Sequence, residues 1–269
     1  MGFALLTAAG CSNVEKRIAP SHFRDWVPEQ AVLPYAELRG NQITVRNVRN
    51  CQFFANDVYL VDYYDKTFDL SQVTGVDFIV VPFARMPAMA HTMLSFRIEQ
   101  PNGKADYLAV SVEVRKEKGE TYNPAKGAVR QYELMYVLAD ERDVIQYRTN
   151  FNSEDVYLYR TTASPEATRA LLMDVLARVN QIASRPEFYD TLTNNCTTNI
   201  VAHVNRINPN RITVDPRVLL SGYADELAYS QGLIERRGTF LETKQQAYVN
   251  PLAHRYAGRE DFSERIRLR

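Results

Sequence analysis

No stretch of about eighteen apolar residues occurs in this chain, and its longest apolar run, around Phe78 to Pro82, is far too short to cross a bilayer. Net charge is lacking as well. The 32 basic and 32 acidic residues cancel, which removes the electrostatic footprint that binding a nucleic-acid backbone requires, so no nucleic-acid partner is expected. Cysteine is scarce, with 3 residues, at positions 11, 51 and 196, and neither Cys-x-x-Cys nor His-Glu-x-x-His is present. Metal catalysis therefore has no sequence support, and no cofactor is expected. Internal repeats and low-complexity tracts are missing too. What is there, 269 residues of which 45% are apolar, suffices for one large domain with extensions.

The first residues, Met1-Gly-Phe-Ala-Leu-Leu-Thr-Ala-Ala-Gly-Cys11, form a short apolar segment that ends in small residues before a cysteine. This resembles a bacterial lipobox, which implies a signal segment over 1–11, lipid on Cys11 and attachment to a membrane surface in the cell envelope. The alternative is an accidental small-residue N-terminus. Residues 12–40, with Pro20, Pro28 and Pro34, predict a leader that runs along the surface. The main domain is expected over 41–258, and the charged residues 259–269 predict a solvated tail or helix.

Alternation predicts a strand over Gln42 to Arg49, and a short apolar run predicts a buried strand over Val76 to Pro82. Further strands are expected around His91 to Ile98, Tyr107 to Arg115, Arg130 to Leu138 and Val156 to Tyr159. Ser164-Pro165-Glu166 carries the signals of a helix start: an N-cap, a proline in the first turn and an early acid. The stripe of Leu171, Leu172, Val175, Leu176, Val179 and Ile182 has helical spacing and reads as core. The class is α+β, with an antiparallel sheet.

Cys196 is the most informative residue. It follows Asn194 and Asn195, which favour a helix N-cap, and an apolar helical stretch follows it. With Asn195 as cap, Cys196 falls in the first turn, where unpaired amides and the helix dipole stabilise a thiolate. The same amides suit the oxyanion formed when sulfur attacks a carbonyl. The alternative is a buried structural cysteine at a helix start.

Strand arithmetic supplies partners. His91, Met93, Ser95 and Arg97 share one face of their strand, and Ser111, Glu113 and Arg115 share one face of the next. Pro101-Asn-Gly-Lys104 is a hairpin signal, and matching the two apolar faces sets His91 opposite Glu113 or Arg115. In both registers His91 and Glu113 share a face within reach of a hydrogen bond. A thiol nucleophile needs such an imidazole to take its proton and a carboxylate to fix the imidazole's tautomer. Alternatively, Glu113 belongs to a solvated cluster with Arg115, Lys116 or Lys118. His22 and His254 lie in the leader and near the tail. His203, about 10 Å along the helix from Cys196, is expected at the surface or as a cap.

Ala90-His-Thr-Met-Leu-Ser-Phe96, Val112-Glu-Val-Arg-Lys-Glu-Lys-Gly-Glu120, Gln131-Tyr-Glu-Leu-Met-Tyr136, Ala139-Asp-Glu-Arg-Asp143 and Asn194-Asn-Cys-Thr-Thr-Asn199 together resemble the Lnb-type periplasmic domain family of bacteria. The resemblance covers roughly residues 25–210. It implies a permuted NlpC-like, papain-related fold, with histidine before cysteine along the chain. It also implies Cys196 as nucleophile and His91 as base, and transfer of an acyl chain to the N-terminal amine of lipoproteins. Glu113 as orienting residue comes from the strand arithmetic.

The expectation is therefore an exported, lipid-anchored thiol acyltransferase, its donor a phospholipid or lipoprotein ester and its acceptor an amine such as a lipoprotein N-terminus. An amidase or peptidase of cell-wall peptides would use the same residues with water as acceptor. A non-enzymatic envelope lipoprotein retaining the fold is the third reading, and a Cys51–Cys196 disulfide would favour it.

Overall fold

The computed structural model describes residues 19–55 and 58–268. Ten strands run in chain order: β1 (Tyr35–Arg39), β2 (Gln42–Arg49), β3 (Gln52–Ala55), β4 (Val58–Leu60), β5 (Tyr63–Asp69), β6 (Val73–Phe83), β7 (Met86–Glu99), β8 (Ala105–Arg115), β9 (Glu133–Asp140) and β10 (Tyr157–Arg160). The helices are α1 (Pro124–Ala128), α2 (Glu141–Gln146), α3 (Pro165–Ser184), α4 (Cys196–Ile207), α5 (Ala224–Ser230), α6 (Phe240–Ala247), α7 (Asn250–Arg255) and α8 (Phe262–Arg265). The fold is α+β. Its main sheet has the order β1-β2-β9-β8-β7-β6-β10, with β5 also paired to β2, while β3 and β4 form a separate hairpin. Every ladder in the main sheet is antiparallel except a single parallel bridge, Arg49 to Ala139, that joins β2 to β9.

The sheet is buried on both faces. On one side Leu94, Phe96, Leu108, Val110 and Val112 meet the α3 stripe and α4. The α3 stripe is buried from Leu171 to Ile182, and Ser164 caps the helix by accepting from the Ala167 amide at 3.2 Å. Each such buried aliphatic side chain stabilises the fold by about 1.5–3 kcal/mol, so the stripe and not the cap decides where this helix lies. On the other side Met93, Ala109, Met135 and Val137 pack with α2, α7 and α8.

That second layer differs from the solvated tail expected over 259–269. Phe262 and Ile266 are fully buried. Arg267 donates to Asp77 at 2.7 Å and to Glu141 at 2.6 and 2.8 Å, and lies 3.6 Å above the Tyr107 ring. Full pairing is what permits burial of that charge. Within the expected leader, Tyr35–Arg39 pairs with β2 through a turn at Gly40, whose φ of +62° suits glycine. Trp26 is buried, with the Arg115 guanidinium 4.3 Å over its ring. The Ser21 amide and the Arg24 side chain also donate to the buried Glu133 carboxylate, so the leader contributes to the packed fold from Ser21 onward.

The β7–β8 hairpin turns at Pro101–Lys104 as its residues suggest, with Gly103 at φ +78°. Its ladder runs from Glu99↔Ala105 to Met93↔Ser111 and ends there, although β7 stays paired to β6 through Ala90 and, after a register shift, as far as Met86. Beyond Met93 and Ser111 the two strands part, and the candidate site occupies that opening.

Candidate active site

A cleft of about 270 Å³ lies where β7 and β8 separate, lined by Ala90, His91, Glu113, Asn195 and Cys196 among others. Cys196 comes from the first turn of α4. Asn195 caps this helix: its side chain accepts from the Thr198 amide at 2.9 Å, and the Thr198 hydroxyl accepts from the Asn195 amide at 2.9 Å. The reciprocal cap satisfies two helix-end donors, while the amides of Cys196 and Thr197 have no acceptor within the helix. The thiol is buried, 3.9 Å from the Ala90 carbonyl and 3.8 Å from the Thr197 hydroxyl.

Burial alone would raise the Cys196 pKa. Hydrogen bonding and charge from His91, with the Thr92 amide and hydroxyl, outweigh it and bring the thiol from its ordinary 9.0 down to about 6. Cys51 makes the contrast: burial, then the negative charge of Asp143, push it up to about 12. Both cysteines are free thiols, so no Cys51–Cys196 disulfide forms.

The imidazole is held by a relay. His91 Nε2 lies 2.6 Å from Ser111 Oγ, and Ser111 Oγ lies 2.8 Å from Glu113 Oε1. A carboxylate only accepts, so the Ser111 hydroxyl donates to Glu113 and its oxygen accepts a hydrogen bond from the His91 Nε2–H. In neutral His91 that leaves Nδ1 as the basic nitrogen. Glu113 Oε1 is 3.8 Å from His91 Nε2, and Arg148 is 3.5 Å from the same oxygen. Burial would raise the Glu113 pKa, but Arg49, Arg148 and His91 reverse it, with help from Ser111, and hold the carboxyl at about 2. Arg115, Lys116 and Lys118 do not pair with Glu113 in the described structure: Arg115 donates to the Gln30 and Ala31 carbonyls and Lys118 pairs with Asp25.

Two supports were not foreseen from sequence. Ser221 Oγ donates to the Ala90 carbonyl and accepts from the Ala90 amide, each at 2.8 Å, pinning the β7 backbone beside His91. Gly222 makes this possible, because a Cβ there would stand 2.0 Å from the Pro87 carbonyl oxygen. The second is His203, which is buried and not at the surface as expected. It lies 2.5 Å from Asp174 and 2.8 Å from the Tyr136 hydroxyl; Tyr136 donates to Asn199, and Asn199 donates to the Asn195 carbonyl at 2.8 Å. This buried chain ties the start of α4 to α3 and β9.

Of the residues singled out in the sequence, Cys196, His91, Glu113 and Asn195 thus meet at one cleft, and Cys11 lies outside the described residues. Ser111 shares the Glu113 face, and its place two residues before Glu113 on one strand is the only signal of its role in the sequence. Among the described residues no cluster of three or more His, Cys, Asp or Glu could hold a metal ion, and no helix is long and apolar enough to cross a membrane.

Fold and cleft together define an α+β protein that sets a buried, acidified thiol against an imidazole held by a serine and a carboxylate. The sequence profile of the Lnb N-terminal periplasmic domain matches residues 59–222, more than half of the chain and every residue of the relay. The chain belongs to the Lnb periplasmic domain family, which supports a place in the periplasmic envelope. No curated protein and no solved structure matches it.

Proposed function

We propose that this envelope protein is a cysteine acyltransferase in which Cys196 takes an acyl chain from a phospholipid or lipoprotein ester and passes it to an amine. The observation that carries the reading is the Cys196 thiol brought to about 6 beside His91, at a helix start and inside a cleft. Thiolate sulfur attacks the ester carbonyl, and the first amides of α4 receive the charge that develops on oxygen. The carbon–oxygen bond then breaks, the departing alkoxide takes a proton from the His91 imidazolium, and a thioester remains. An amine attacks the thioester, gives its proton to His91, and the carbon–sulfur bond breaks to restore the thiolate. Ser111 and Glu113 keep the imidazole turned so that one nitrogen serves both half-reactions.

A helix-borne cysteine packed on an antiparallel sheet that carries the histidine, with histidine first along the chain, supports a permuted NlpC-like, papain-related arrangement. Lipid on Cys11 would hold the domain at the membrane surface where its donor lies. Hydrolysis of cell-wall peptides is the second reading, favoured by the charged cleft wall of Lys116, Arg148 and Glu154. Against it, Phe83, Met89, Tyr122 and Tyr189 give the same cleft an apolar wall suited to a lipid donor.

Intact-mass measurement of the purified chain with phospholipid vesicles tests the proposal. A fatty-acyl adduct that hydroxylamine removes, absent in Cys196→Ala and slowed in His91→Ala, is the expected result. Rapid alkylation of Cys196 with no acyl adduct would transfer support to the peptide hydrolase, and an unreactive Cys196 would sink both readings.

A further inference from the structure

A second cavity lies on the other side of the Cys196–Thr197 step. It is a groove of about 290 Å³ along α4, floored by Phe78 and Leu94 of the sheet and walled by Ile200, Val204 and Leu227. Thr197 lines one end, with its hydroxyl 3.8 Å from Cys196 Sγ and 3.0 Å from that of Thr92. Asn208 and Arg211 line the other. Arg211 donates to the carbonyls of Gln231 and Gly232 at 3.0 and 3.3 Å, tying the chain beyond α4 to the chain beyond α5.

The chemistry of the walls selects the occupant. The α4 backbone is engaged within its own helix and most of the lining is aliphatic, with Thr161, Thr162, Ser164, Asn208 and Arg211 the main polar residues, so along α4 a peptide would find few partners for its amides and carbonyls, and burying those unpaired is costly. From Thr197 to Asn208 the groove follows α4 for roughly 16 Å, and Val76, Phe78, Leu94, Ile200 and Val204 line it with apolar side chains suited to an unbranched hydrocarbon chain. We propose that this groove holds the acyl chain of the lipid donor, with the ester end at Thr197 beside the thiol and the methyl end toward Arg211. The proposal rests on the reading of Cys196 as the residue that becomes acylated, and adds that the groove sets chain length.

The test acylates the full chain with p-nitrophenyl butyrate or palmitate in a single turnover. Thiolate attacks the carbonyl, the carbon–oxygen bond breaks, and p-nitrophenolate leaves and is read by its absorbance. Each buried methylene is worth roughly fourfold in affinity, so the wild-type chain favours palmitate. Ala167→Trp and Val201→Trp place rings in the groove at partly buried positions. Each is expected to lower palmitate acylation by about tenfold or more while butyrate acylation stays within about twofold. Unchanged palmitate acylation in both folded variants would overturn the groove and leave the thioester reading standing. Should neither ester acylate Cys196, that reading fails on its own, and binding of the fluorescent fatty acid cis-parinarate to Cys196→Ala decides the groove. Binding weakened at least about tenfold by Val201→Trp supports it, and equal binding in both refutes it.

Discussion

Replacing His91 by alanine should move the ionisation of Cys196 more than it slows the residue's reaction at any single pH. Burial pushes the thiol up, and His91 is the largest influence pulling it down to about 6, so without the imidazole it climbs back toward its ordinary 9.0. On a full return to 9.0 the thiolate fraction at pH 7 would fall from about nine-tenths to about one-hundredth, roughly ninetyfold. A more basic thiolate is also a better nucleophile. With a Brønsted coefficient of about 0.4–0.5, three pKa units return roughly twentyfold, leaving a net loss of only about fivefold at pH 7. The pH profile is therefore the decisive readout. Iodoacetamide alkylation of the Cys196 peptide, followed by mass spectrometry from pH 4 to 10, should show a midpoint near 6 in the wild-type chain and one moved up toward 9 in His91→Ala. Coincident midpoints in the two proteins, or a wild-type midpoint near 9, would refute the reasoning. Cys51, pushed up to about 12, should stay unlabelled over most of this range and serves as an internal reference.

Ser111→Ala leaves His91 Nε2 with only a carboxylate 3.8 Å away and frees the imidazole to change tautomer; single-turnover acylation should slow on the order of a hundredfold in a protein that melts normally, and an unaltered rate would remove Ser111 from the relay. Glu113 has a folded pKa depressed to about 2 from an ordinary 4.5, so its contribution of about 3 kcal/mol is complete above pH 4.5 and lost as pH falls through 2. Urea unfolding at pH 6 and pH 3 should show that more than half of this is gone by pH 3, and Glu113→Gln should lack that part of the acid loss. Gly222→Ala forces a Cβ to within 2.0 Å of the Pro87 carbonyl oxygen. The turn must retreat from Ala90, with a stability loss of about 1–3 kcal/mol and slower acylation; a variant with wild-type melting and rate would count against the clamp.

The parts of the site legible in the sequence are those set by short periods. Strand alternation puts His91 and Glu113 on one face whichever register forms, and the Asn195 cap and α3 stripe are local patterns that the packing preserves. Ser111 escaped because its role depends on the space between two side chains on different strands, a distance no spacing encodes. The charges of the last residues read as solvated because burial of Arg267 depends on Asp77 and Glu141, 190 and 126 positions away. His203 likewise reads as a surface residue from its offset along α4, and only contact with Asp174 of α3 and Tyr136 of β9 makes it interior. The strand run that begins at Met86 was hidden by Pro87, a residue that argues against a central strand.

The most direct test of the central claim is a chase of the acylated enzyme. Full-length protein carrying a fatty-acyl thioester on Cys196, freed of excess lipid, is mixed with a synthetic peptide bearing a diacylglyceryl cysteine and a free N-terminal amine, and both species are weighed over time. The enzyme is expected to lose the acyl mass as the peptide gains it in amide linkage, faster than the thioester decays in buffer alone. Release of free fatty acid at the same rate with or without the peptide would contradict acyl transfer and leave a thiol hydrolase.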